Sequence, residues 1–290
     1  MKKILPLLLM FVMGFAWNVQ AQMLVELSFP RHVYMQYEKI IAHVKIRNYS
    51  GQPLIFGKSD SVSGKLCFDV RLNGKIMPAY PDREYPMTGV IFQAGETKEF
   101  DVILSNYHKM TALGYYTVHA YVQHSQMKHE FKSRDVRLEV APGSVTWSRK
   151  VGIPDVIGKK QDVQQQVATR TFTVRQLREN VDTVYYVIVE DEKRIYAIFT
   201  VGKKIGQESI RAEVDMLSRL HLLVPVSPKL FRNLVINLDG KVEKDQMYKT
   251  TSSIPSLSLD RSTGQVFTVG GAEALVDIDY RAPNEKSLKK

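Results

Sequence analysis

The sequence contains a single cysteine, Cys67, in 290 residues. An internal disulfide is therefore excluded, and with it the stapled scaffolds that depend on several bridges. No Cys-x-x-Cys or His-x-x-x-His pair occurs, so the close ligand spacing of a zinc site is missing, and His43, His119, His124 and His129 are too scattered to replace it. Gly-rich phosphate loops of the Walker or dinucleotide type are absent, and no cofactor or metal is expected. A Gly-x-Ser-x-Gly elbow is lacking, as are a Ser-x-x-Lys set with its partners and a local signature around Cys67, so no catalytic residue is assigned. Paired acids for glycosidic chemistry leave no local mark, because they can lie far apart along the chain.

Long apolar runs are also scarce. The one that stands out follows Lys2 and Lys3, runs from Ile4 to Met13, and gives way to Val19-Gln20-Ala21. A charged start, a short apolar stretch and small residues before a cut describe a secretory signal over residues 1–21, with the mature chain starting near Gln22. The expected location is secreted or periplasmic. No later stretch approaches the roughly 20 apolar residues of a spanning helix, so no transmembrane segment is expected in the mature chain.

Charge is not concentrated either. The formal net charge of +10 becomes +8 without Lys2 and Lys3, and divides into +3 for residues 22–143 and +5 for residues 144–290. Basic residues come in short pairs such as Arg149-Lys150, Lys159-Lys160 and Lys203-Lys204. Such pairs attract polyanions without choosing among them, which gives no specific nucleic-acid signal.

What is present is period-two alternation. Ile40, Ala42, Val44 and Ile46 point one way while His43, Lys45 and Arg47 point the other. Leu66, Phe68, Val70 and Leu72 repeat the pattern against Lys65, Cys67, Asp69 and Arg71; Phe100, Val102 and Leu104 do so next, and then Tyr116, Val118, Ala120 and Val122. Strands with one wet face, separated by turn clusters at Asn48 to Pro53, Asn73-Gly74-Lys75 and Gln93 to Glu96, predict two antiparallel sheets packed as a sandwich.

The order Val44-Lys45-Ile46-Arg47-Asn48, Gly51-Gln52-Pro53-Leu54, Ala94-Gly95-Glu96-Thr97, Leu113-Gly114-Tyr115-Tyr116-Thr117-Val118 resembles bacterial immunoglobulin-like sandwich domains, and is most similar to the group of the intracellular proteinase inhibitor of bacilli. The resemblance covers about 120 residues, implies the fold, and places Tyr116 in the slot of a tyrosine corner. Inhibition does not carry over with the fold.

Around Ala141 to Ser144 the alternation ends, giving an immunoglobulin-like β-sandwich over 22–143 and a β-rich domain over 144–290. A polar stretch from Gly158 to Gln166 predicts a loop or short helix. Tyr185 to Val189, Ile195 to Phe199 and Leu220 to Val224 are then apolar on both faces, as in a sheet covered on both sides. Turns at Asp191, Asp215, Asp239 and Asp260 recur about one hairpin apart, a rhythm that resembles β-propeller blades, though the segment is too short for most complete propellers. None of these turns follows a calcium-loop pattern, and hairpin chemistry accounts for them. The fold class is all-β throughout.

One loop, Pro78 to Pro86, mixes aromatics, prolines and charges, and Tyr80, Arg83 and Tyr85 are its candidate binding residues. The expected function is a non-enzymatic extracytoplasmic binding or structural module contacting a protein or an anionic surface polymer. The alternatives are a secreted hydrolase with dispersed acids, or a proteinase inhibitor.

Overall fold

A computed structural model describes residues 22–57, 64–153 and 168–281. The expected signal at 1–21 and the polar 158–166 stretch lie outside them. Among the described residues there is no helix long and apolar enough to cross a membrane. The chain is all-β, as the alternation predicts, and forms two compact units: one through His32 with Lys39–Met110 and Gly114–Leu138, the other Val33–Glu38, Thr111–Leu113 and the chain from Glu139 onward.

Up to Ala141 the strands are β1 (Met23–Ser28), β2 (Val33–Met35), β3 (Ile41–Asn48), β4 (Leu54–Ile55), β5 (Gly64–Leu72), β6 (Lys75–Ile76), β7 (Ile91–Phe92), β8 (Thr97–Ile103), β9 (Gly114–His124), β10 (Phe131–Lys132) and β11 (Val136–Ala141). One antiparallel sheet has the order β1-β3-β8; a second runs β11-β9-β5-β6, with β10 beside β9. Each sheet buries one row of side chains, because successive residues on a strand point to opposite faces. Ala42, Val44 and Ile46 on β3 are buried, as are Leu66, Phe68 and Val70 on β5 and Tyr116, Val118, Ala120 and Val122 on β9. The predicted inward rows are these same residues, except that Leu72 and Phe100 are only half-buried.

Two of the predicted turns are joined by a fully buried amide. Asn48 Nδ2 donates to the carbonyls of Gln52 at 2.7 Å and Gln93 at 3.0 Å, and Asn48 Oδ1 accepts from the Ser50 amide at 2.9 Å. This satisfies an otherwise costly buried polar group and ties the 48–53 and 93–96 turns to each other. Nearby, Phe92 packs 5.4 Å from Phe56 and 6.0 Å from Phe100, ring centre to ring centre.

The second unit has another pattern. Its strands are β12 (Ser144–Gly152), β13 (Thr169–Glu179), β14 (Asp182–Glu190), β15 (Ile195–Lys203), β16 (Arg211–Val214), β17 (Leu220–Ser227), β18 (Leu230–Ile236), β19 (Val242–Lys249), β20 (Ser256–Leu259), β21 (Val266–Val269) and β22 (Ala272–Glu273). β12 to β15 form one up-and-down antiparallel sheet, β16 to β19 with β22 a second, and β20-β21 a hairpin. Phe172, Val174, Tyr185, Val187 and Val189 of the first sheet share a core with Leu220, Leu222, Val224, Leu234 and Ile236 of the second. The opposite face of β14 is covered too: Val184 and Tyr186 pack with Leu177 and Met35. Beyond β17, the β20 strand packs against β16 and β17, and Asn233 Nδ2 donates to Thr268 Oγ1 at 2.8 Å. β14 and β17 are therefore buried on both faces, as their apolar runs predict. Ile195 to Phe199 also packs on both sides, Ala197 and Phe199 on the shared core and Ile198 on the opposite cluster, but β15 is the edge strand of its sheet and these residues are only half-buried.

The four Asp-bearing turns fall on alternate hairpins: β14-β15, β16-β17, β18-β19 and β20-β21. In three of them the aspartate caps the turn. Asp191 Oδ1 accepts from the amides of Lys193 and Arg194 at 2.8 and 2.9 Å, Asp215 Oδ1 from Leu217 and Arg219 at 3.0 and 2.9 Å, and Asp260 Oδ1 from Ser262 at 2.8 Å. At the third turn the capping side chain is instead Asn237, whose Oδ1 accepts from Asp239 and Lys241, both at 3.0 Å.

Candidate functional site

The loop singled out in the sequence is anchored at two places. The Tyr80 amide donates to the Tyr107 carbonyl at 2.8 Å, and the Thr88 hydroxyl donates to the Tyr85 carbonyl at 2.9 Å. Tyr80 and Tyr85 are 41% and 42% exposed, so neither closes over the core, and Arg83 is exposed as well. Lys65 Nζ stands 5.0 Å from the centre of the Tyr85 ring, a cation on an aromatic face. This contact places Tyr85 against the outer face of β5. Tyr80 instead lies beside Tyr107, and no contact joins Tyr80, Arg83 and Tyr85 to one another among those described.

The outer face that Tyr85 joins is built by cross-strand register. Lys65 lies opposite Gln123, Cys67 opposite Tyr121, Asp69 opposite His119 and Arg71 opposite Thr117, while Lys132 on β10 lies opposite Tyr121. Arg71 grips Asp69 with two hydrogen bonds, at 3.0 and 2.9 Å, and holds its carboxyl below the usual carboxylate range. His119 Nδ1 is 3.1 Å from Asp135, and its Nε2 is 3.9 Å from Asp69. Glu130 is likewise lowered, by hydrogen bonds from Gln123 and Lys132. Lys132 Nζ sits 5.9 Å from the centre of the Tyr121 ring.

Cys67 is half-buried on this face. Burial raises its thiol pKa, against the opposing hydrogen bond with Tyr121, and burial also pushes the Tyr121 phenol up to about 12. A thiol kept protonated is a poor nucleophile. Cys67 stands on the outward side of β5, where the alternation puts it. His119 and His124 point to opposite faces of β9: His124 is buried, with Nε2 3.1 Å from the Ile55 carbonyl. Among the described residues no group of three or more His, Cys, Asp or Glu side chains is placed to hold a metal ion.

The sequence points to Tyr85 but not to Lys65, Tyr121 or the carboxylates around His119. Their signal is the wet row of each strand, which becomes informative only when β5 and β9 are paired in register. No protein-family model and no curated protein matches the chain. The resemblance to bacterial immunoglobulin-like sandwiches and to the proteinase inhibitor group therefore gains no support from relatives.

Proposed function

We propose that the chain is an extracytoplasmic binding module that contacts a protein through Tyr85, Arg83 and the outer face of β5, β9 and β10. The observation that carries this reading is the exposed Tyr85 ring stacked by Lys65 on a sheet face of balanced charge. Tyrosine and arginine are the side chains most favoured as anchors in protein interfaces. An anionic surface polymer fits less well. Lys65, Arg71, Arg83 and Lys132 are matched on this face and its loop by Asp69, Asp82, Glu84, Glu130 and Asp135, so a polyanion would meet carboxylates as often as cations. The strand order supports an immunoglobulin-like sandwich for the first unit, with β1, β3 and β8 in one sheet and β5, β9 and β11 in the other. The secretory signal read at residues 1–21 supports the location.

The test is capture from the cell envelope of the source organism in low and high salt, with the wild-type chain and with Tyr85→Ala. One protein retained in high salt by the wild type and lost with Tyr85→Ala is the expected result, because exposed ion pairs alone are screened under those conditions. Release of all bound material by salt, or equal retention by both chains, overturns the reading.

A further inference from the structure

The buried end of β9 carries an arrangement that the contact face does not use. His124 is only 5% exposed, and both of its ring nitrogens are committed to main-chain groups. Nε2 stands 3.1 Å from the Ile55 carbonyl at the end of β4, and the Gln126 amide donates to Nδ1 at 3.2 Å. A carbonyl can only accept and an amide N–H can only donate, so the ring is fixed as the neutral tautomer with its proton on Nε2. The Met127 amide donates to the His124 carbonyl at 2.9 Å and closes the turn that the ring holds.

The ring has no room to turn in place. It packs edge-on to Phe56, 5.9 Å between ring centres, and a Cβ added at Gly64, directly opposite in register, would meet its Cδ2 at 2.6 Å. This wall is itself pinned, since the Phe56 amide donates to the Val90 carbonyl at 2.9 Å and the Gly57 amide to the Gly64 carbonyl at 3.2 Å. No carboxylate contacts the ring among the described residues. Strand β4 carries no titratable side chain, Lys65 of β5 and Tyr121 of β9 lie on the outward face, and Lys128, His129 and Glu130 of the following turn are exposed. Burial lowers the His124 pKa below its ordinary 6.5, although the bond to the Ile55 carbonyl acts the other way.

We propose that His124 is an acid-operated latch on the 124–130 turn, closed while Nδ1 accepts from Gln126 and opened when Nδ1 takes up a proton. A proton there sets N–H against N–H. Because the ring is walled in, the Gln126 amide is the group that leaves, and Gln126 is exposed, so water replaces the lost partner. The folded ring binds its proton less tightly than a free histidine, so the latch is shut above about pH 6.5 and opens as pH falls below that value. The far end of the turn reaches the outer face, where Glu130 accepts from Gln123 Nε2 and pairs with Lys132 at 3.1 Å. Opening therefore loosens the Glu130 and Lys132 edge of the contact face, a consequence that rests on the contact reading, whereas the latch does not.

The test follows the full chain, without a partner, by the nitrogen chemical shifts of the His124 ring and by backbone hydrogen exchange between about pH 7.5 and 5. The expected result is a proton on Nε2 alone at the upper pH, and a titration of Nδ1 with its midpoint below 6.5. Protection of the Gln126 amide, relative to its intrinsic exchange rate, should fall about 10-fold with the same midpoint, the scale of one lost hydrogen bond. Val118 and Ala120 in the middle of β9 should keep theirs. His124→Phe retains a ring but neither bond, and should leave the turn equally open at both ends of the range; thermal melting checks that it is folded, and the ring shifts of the wild type need no variant. A proton on Nδ1 at the upper pH, Gln126 protection that does not change across the titration, or the same pH-dependent loss in His124→Phe overturns the proposal. None of these measurements involves a partner, so failure of capture through Tyr85 leaves them standing.

Discussion

Strand β9 of the first unit and strand β14 of the second are built to opposite rules. Along β9, Tyr116, Val118, Ala120 and Val122 are fully buried, whereas Thr117, His119 and Tyr121 turn outward among charged neighbours. Along β14, six consecutive residues from Val184 to Val189 are buried, because one face joins the core shared with the β16-β19 sheet and the other packs on Leu177 and Met35. A strand with a free face has room for side-chain chemistry; a strand covered twice has none, and leaves any recognition to its turns and edges. This is why the candidate contact face falls on β5 and β9, whereas in the second unit the outward charges sit on less covered strands, as Arg232 of β18 does when it pairs with Asp245 of β19.

The largest effect should come from emptying the doubly covered strand. Tyr186 is fully buried, and its hydroxyl donates to Glu179 at 2.7 Å. Tyr186→Ala leaves a cavity and removes the hydrogen bond to the half-buried Glu179 carboxylate, and should destabilise by about 3–5 kcal/mol. Tyr85→Ala in the first unit removes a ring of similar size from an exposed site and should stay within about 0.5 kcal/mol of wild type. Urea unfolding of both variants checks the contrast. Similar losses for the two would mean that the exposed loop carries core packing.

A smaller and more local contrast separates two glycines that both have positive φ. Gly74, in the β5-β6 turn at φ +85°, has nothing within 4 Å of where an added methyl group would sit, so Gly74→Ala should cost only the left-handed backbone, about 1–2 kcal/mol. Gly240, in the β18-β19 turn at φ +78°, would place that methyl 2.1 Å from Ala197 Cβ. Gly240→Ala must therefore add overpacking of about 1–3 kcal/mol to the same backbone cost. Thermal melts of the two variants give the ordering. Equal losses would show that the β18-β19 turn is free to move away from β15.

Much of this division was legible in the sequence. Alternation in Ile40 to Ile46 and in Tyr116 to Val122 identified which residues are inside, since a one-residue slip would put every one of them in water. The apolar runs of β14 and β17 announced burial on both faces. Ile195 to Phe199 is covered on both faces as well, Phe199 by one core cluster and Ile198 by the other, but an apolar run does not say that its strand is an edge and stays half-buried. Asp239 does lie in the β18-β19 turn, but the spacing does not show that Asn237 is its capping side chain, since Asn and Asp cap turns by the same hydrogen bonds. The row that brings Cys67 to Tyr121 had no local signature. It arises from strand pairing across 54 positions, which periodicity along one strand does not reveal.

The smallest effects concern pH, and a group in each unit marks one end of the scale. In the second unit Asp191 is held at about 2, first by the Tyr196 hydroxyl at 2.6 Å and then by the Lys193 amide; Asp260 is held at about 2 by the hydroxyl and amide of Ser262. An unfolded aspartate titrates near 3.9. The folded form therefore binds the proton less tightly, so the stabilisation is complete above about pH 4 and is lost as pH falls through about 2. In the first unit Tyr121 moves the other way, raised by burial to about 12 against about 10 in the unfolded chain. Its contribution is present below about pH 10 and disappears as pH climbs towards 12. Asp191→Asn should flatten the fall in melting temperature between pH 4 and 2 and leave the alkaline limb unchanged. Tyr121→Phe should flatten the alkaline limb and leave the acid one. If either variant altered both limbs equally, its titrating group would not be the source of the slope.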